Sequence, residues 1–225
     1  MQLKSLGAVA LASLALSTSV QAADLSPQAA TELFLKSIVH IDTKAMEALN
    51  AYLRPVRTFP GQGDFINVTE MQEVDRDYPK ELAEAFLENV QLSAADKKAL
   101  EPAAVQLFAS VRESQKRIAC TMGQPQKVTE GVPAEMLAVN VPFRCMAPNP
   151  PEKIVAFFQR AGGAKWNLAQ YREGMQTLSE GFASAPLTQV WDGEFPLAAE
   201  KKKKKPLVWQ NNFPRESIDV TPLQY

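Results

Sequence analysis

The chain is 225 residues long and nearly neutral, with 24 lysines and arginines against 25 aspartates and glutamates. Such a balance provides no global attraction to nucleic acid or to an anionic surface, so no nucleic-acid partner is expected. A single histidine, His40, excludes a histidine-rich zinc site, and no cofactor-binding motif stands anywhere in the chain.

Residues 1–22 read as a cleaved signal peptide. Lys4 supplies the basic start, Leu6 to Leu16 the apolar run, and Val20-Gln21-Ala22 the small-x-small site with cleavage after Ala22. The run is too short and too rich in Ala and Ser for a membrane span, and no later stretch is a candidate, so the mature chain has no transmembrane segment. Residues 23–225 are expected to form one α+β domain, periplasmic or secreted. Two cysteines in an exported chain predict one disulfide, Cys120 with Cys145.

Ser26-Pro27 opens a helix with Ala30, Leu33, Phe34, Ser37, Ile38 and Ile41 at helical spacing. Asp42 caps a second helix, with Ala45, Met46, Leu49, Tyr52 and Leu53, that stops before Pro55. Arg54 to Val74 reads as irregular, with turn chemistry at Pro60-Gly61-Gln62-Gly63-Asp64 and a short strand at Phe65, Ile66 and Val68. The third helix is expected to start at Pro79 and to bury Leu82, Phe86, Leu87 and Val90. Ser93 with Asp96 resembles a capping box for the longest helix, although Pro102 argues for a start nearer Glu101.

Residues 118–146 form the organising stretch. Leu137, Val139, Val141, Phe143 and Cys145 alternate with Ala138, Asn140, Pro142 and Arg144, the period of a half-buried strand. Ile118, Cys120 and Met122 alternate likewise. A hairpin turning near Val132 and Pro133 sets the two cysteines opposite each other on the apolar face. Pro142 then requires an edge strand, or a missing N–H that faces away from the ladder.

Asn149-Pro150-Pro151-Glu152 starts a helix that Gly162-Gly163 stops, and a further helix carries Leu168, Tyr171, Met175, Leu178 and Phe182. Leu187 to Trp191 and Glu194 to Ala198 read as two short strands around a turn at Asp192-Gly193. Residues 200–225 read as a loosely ordered strap. The fold expectation is α+β, with about six helices packed on a small, mainly antiparallel sheet centred on the disulfide-linked hairpin.

Lys201, Lys202, Lys203, Lys204 and Lys205 with Trp209 are the candidate binding surface, a contact for a polyanion or an acidic partner. The same lysines also suit a solvated loop that blunts an edge strand. Neither cysteine matches a nucleophile signature, and no serine stands in a nucleophile elbow. Acid pairs such as Glu70/Glu73 and Asp75/Asp77 suit a solvated helix face, or the paired carboxylates of a hydrolase. Three functions remain open. The first is an exported protein that binds a protein partner, as an inhibitor, immunity-type protein or envelope-assembly factor. The second is a small-ligand carrier with an apolar cavity, and the third a hydrolase with an acidic site in residues 70–84.

Overall fold

The computed structural model describes residues 25–161, 166–201 and 207–211. The signal segment, Gly162-Gly163, Lys202–Lys205 and most of the strap lie outside the described residues. Six helices, α1 (Pro27–Val39), α2 (Thr43–Leu53), α3 (Val68–Glu88), α4 (Ala94–Gln115), α5 (Ile154–Ala161) and α6 (Leu168–Ser184), accompany four strands. The strands are β1 (Ala119–Met122), β2 (Gln126–Val128), β3 (Met136–Pro148) and β4 (Leu187–Glu200). Among the described residues the strands pair antiparallel and through β3, with β1 and β2 on one side and β4 on the other, and an isolated bridge joins Ala198 of β4 to Gln210. The fold is therefore α+β, as the patterning predicts.

The helix starts follow their caps. Ser26, Asp42 and Ser93 each accept a hydrogen bond from the backbone N–H three residues on, satisfying one of the first orphan donors. The start at Ser93 holds, and Pro102 lies inside α4. Ile41 ends the first stripe by adopting φ 51°, which turns the chain sharply into α2. The third helix corrects the expectation most. It begins at Val68, not Pro79, because Asn67 caps the Glu70 N–H and its own Nδ2 donates to the Glu70 carboxylate. Pro79 is carried in the interior, and no strand forms at Phe65–Val68. On the far side, Asn167 and Gln170 make a full capping box for α6.

In the sheet, Cys120 stands directly opposite Cys145 and the disulfide joins them, as the register predicts. The hairpin is more irregular than expected. Along β1 the pairing runs from Ala119 with Met146 to Met122 with Phe143, whereas β2 pairs Gln126 with Asn140, one residue out of step. Pro142 explains the slip. It lies in the central strand, not at an edge, and its carbonyl accepts from the Gly123 N–H at 2.6 Å. A strand residue points its N and its C=O to the same side, so the missing N–H faces the gap between β1 and β2.

The expected turn at Asp192-Gly193 is overturned as well. β4 is one continuous strand of 14 residues paired with β3 along its length. Gly193 lies opposite Phe143, and a Cβ there would come 2.5 Å from the tip of that ring. The glycine makes room for an aromatic side chain and does not turn the chain. Arg144 grips Asp192 with two hydrogen bonds (2.6 and 3.1 Å), and Asn140 donates to Glu194 at 2.9 Å, zipping the exposed face of the pair. Gly193→Val is expected to destabilise the protein by about 1–3 kcal/mol through overpacking against Phe143. An equilibrium urea titration checks this, since a glycine that merely turned the chain in open space would tolerate the change.

Two apolar clusters result. Val141, Phe143 and Cys145 of β3, with Phe195 and Leu197 of β4, face Phe34, Leu49 and Tyr52 of α1 and α2. A second cluster, around Leu107, Tyr171, Met175 and Leu178, is built by α3 to α6. Arg117, between α4 and β1, donates to the carbonyls of Phe182 and Ala185 (2.7 and 3.0 Å) and so satisfies the open end of α6.

Candidate functional site

Between α2 and α3 the chain makes a loop over residues 57–66, entered through a short 3-10 turn at Arg54–Val56. Glycine at position 61 permits φ +80°, and the Gln62 N–H closes the tip onto the Phe59 carbonyl at 3.0 Å. Arg57 clasps the neck. Its Nε donates to the Gly63 carbonyl at 2.8 Å, Nη2 reaches the Asp64 carbonyl at 3.5 Å, and the guanidinium lies 5.7 Å from the centre of the Phe65 ring. Asn50 of α2 holds the far end from both sides, donating to the Ile66 carbonyl and accepting from its N–H, each at 2.8 Å. The Arg54–Asp64 pair at 3.5 Å is solvent-exposed and adds little.

The loop is thus pinned at its neck while its tip presents Phe59, which is 77% exposed. Beneath it lies a small cleft of about 60 Å³. Phe34, Leu53, Val56 and Phe65 form its apolar floor. Arg57, Gln62, Gln210 and Asn211 form its polar rim. Phe34 meets Phe65 edge-on with ring centres 5.7 Å apart and Phe195 at 5.4 Å, so the floor is continuous with the sheet core.

The residues singled out from the sequence lie elsewhere. Cys120 and Cys145 are bonded to each other, with Cys145 fully buried, and form a staple inside the sheet. The Lys201 N–H donates to the Glu135 carbonyl and its ammonium to the Ala134 carbonyl (2.8 and 2.7 Å), which ties β4 back onto the hairpin. Lys202, Lys203, Lys204 and Lys205 lie outside the described residues. Trp209 does not present its ring to solvent: it is 7% exposed in the sheet core, and its backbone N–H donates to the Tyr52 hydroxyl at 2.6 Å. The apolar run Leu207-Val208-Trp209 is drawn in by burial, which removes Trp209 from any surface patch.

Asp75, the best placed of the candidate acids, is an ion-pair partner. Arg112 of α4 bonds one of its oxygens and Lys116 the other at 2.9 Å, and Arg112 also donates to the Val39 carbonyl at 3.4 Å. Burial pushes the Asp75 carboxyl up, but the hydrogen bonds and charges of Arg112 and Lys116 outweigh it and hold the carboxyl below its ordinary value. A carboxylate so held joins α1, α3 and α4. Its stabilising contribution is present above the ordinary carboxylate range and is lost as pH falls through its depressed value. Asp75→Ala is expected to cost about 2–3 kcal/mol at neutral pH, because Arg112 loses its partner at a largely buried site. The gap between wild type and variant should close on acidification, measured as urea midpoints across pH. Asp77 is paired with Arg76 at the surface. For His40, burial lowers the pKa, Lys36 and Arg112 act in the same direction and Asp42 opposes them.

Among the described residues no group of three or more His, Cys, Asp or Glu side chains comes together to hold a metal, and no helix is long and apolar enough to cross a membrane. Sequence reading marks the loop only as turn chemistry running into a short strand. The signal for more was its flanking, since Phe59 and Phe65 bracket Pro60–Asp64 and Arg54 and Arg57 precede it. No protein-family model, curated protein or solved structure matches the chain.

Proposed function

We propose that this is an exported protein, periplasmic or secreted, that acts by binding a protein partner of the cell envelope or the extracellular space. Loop 57–66 makes the contact, and Phe59 is its anchor. The observation that carries this reading is Phe59 itself: a large aromatic side chain, 77% exposed, at the tip of a loop clasped by Arg57 and Asn50. Leaving such a ring in water forgoes about 1.5–3 kcal/mol of burial. Aromatic anchors dominate protein interfaces, and a loop ordered in advance avoids part of the entropic cost of binding. Inhibition, immunity and envelope assembly all draw on such a contact. Residues 1–22 and the Cys120–Cys145 bond support export.

The test is site-specific photocrosslinking in the cells that make the protein. Benzoylphenylalanine in place of Phe59 should give one discrete light-dependent adduct. The same group in place of Val155, another exposed apolar position on α5, should not. An empty lane at 59, or the same adducts at both positions, contradicts the reading. Intact mass of the exported protein should show a chain beginning at Ala23 with no free thiol.

A further inference from the structure

We propose that this chain self-associates through the free edge of β4, two copies pairing antiparallel about Trp191 so that their sheets join into one. The contact does not involve Phe59 or its loop. The outer edge of β4 already accepts an extended segment at one end. Ala198 and Gln210 exchange both backbone hydrogen bonds (2.9 and 2.8 Å), which places the N–H and C=O of Ala198 on the side away from β3. Backbone direction alternates along a strand, so Val190, Asp192 and Glu194 turn theirs the same way. Pro196 has no N–H to offer, and its carbonyl accepts from the Asn211 amide at 3.1 Å. From Pro196 back to Val190, among the described residues, no strand pairs with that edge.

Exposed edges are normally guarded by lysines, prolines, bulges or short length. Residues 190–194 of this 14-residue strand carry no lysine or proline, and their pairing with β3 is unbroken. Their two acids are turned back onto β3, Asp192 to Arg144 and Glu194 to Asn140. Val190 is 53% exposed. Trp191, on the opposite face, is half-buried and held edge-on against Phe143. Both faces of the edge therefore have apolar surface left to cover.

Register and charge make the edge complementary to itself. A two-fold axis pairs it with its own copy, and outward backbone groups must meet outward ones. Centred on Asp192, Gly193 or Glu194, the pairing sets acid against acid, which is unfavourable. Centred on Val190, it sets Glu194 against the partner's Pro186, which has no N–H. Centred on Trp191, Val190 exchanges both backbone bonds with the partner's Asp192, and Glu194 meets the partner's Thr188. No like charges are opposed, and the two Trp191 rings meet across the axis, an aromatic pair of the kind that stabilises sheets.

Sedimentation velocity of the full exported chain, over a concentration series into the hundreds of micromolar, tests this. The chain should pass from monomer to dimer, and hydrogen exchange at the Val190 and Asp192 amides should slow as the dimer forms. Val190→Asp sets an acid against the partner's Asp192 and should raise the dissociation constant at least about tenfold. Val190→Lys sets a cation there and should leave it within about threefold of wild type, or tighten it. A chain that stays monomeric throughout overturns the proposal, as does a dimer that both variants weaken alike or neither weakens. Slow exchange at those amides in the monomer also overturns it, since the edge would then be covered from within the chain. Sedimentation and crosslinking at position 59 read different contacts, so either can fail alone.

Discussion

Replacing Cys120 and Cys145 together by alanine is expected to lower the free energy of unfolding by about 3–4 kcal/mol. The bond links positions 25 residues apart, and in the chain-entropy picture closing a loop of that length restricts the unfolded ensemble by that amount. Folded-state geometry adds to the case. β1 is only four residues long, and the ladder slips one residue beyond it at the Pro142 gap, so few backbone bonds hold its register. The disulfide is the firmest tie between β1 and β3. Since Cys145 is fully buried, its loss also leaves a small void beside Phe143 and Ala147. Equilibrium urea unfolding of the oxidised protein and the double variant measures the effect. A difference below about 1 kcal/mol would show that the sheet holds its register without the staple.

Phe34→Ala should cost about as much or more, about 3–5 kcal/mol. Phe34 is 1% exposed and joins three parts of the structure: α1, from which it projects, Phe195 of β4, and Phe65 at the neck of the loop. Truncation removes the floor of the cleft and the wedge between helix and sheet together. Phe34→Leu keeps most of the volume and should cost less than about 1.5 kcal/mol. The pair of variants, compared by denaturation midpoint, separates loss of volume from loss of aromatic contact. A small effect for Phe34→Ala would mean that α1 is not anchored through this ring.

Part of this fold is legible in the sequence. Caps at Ser26, Asp42 and Ser93 announce α1, α2 and α4, because a side-chain acceptor beside an apolar stripe is a local signal. The Cys120–Cys145 register is legible because strand alternation and a turn at Val132-Pro133 fix it together. α3 is misplaced because Pro79 looks like a start, although a helix already nucleated at Asn67 tolerates it. β4 is broken in two because Asp192-Gly193 is turn chemistry, yet the alternation of Trp191, Phe195 and Leu197 runs through it. What Gly193 does depends on Phe143, 50 residues earlier in the chain, and no local rule reveals that. The cleft is less legible still. Its walls come from α1, α2, the loop and Gln210-Asn211, and only the fold brings them together.

Phe59 stands apart from all of these, because the fold does not need it. Once the crosslinked partner is in hand, its affinity for wild type and for Phe59→Ala tests the central claim most directly. The prediction is at least about tenfold weaker binding, about 1.4 kcal/mol, with the urea midpoint of the variant unchanged. Equal affinity with an unchanged midpoint would contradict it and leave loop 57–66 without the role assigned to it here.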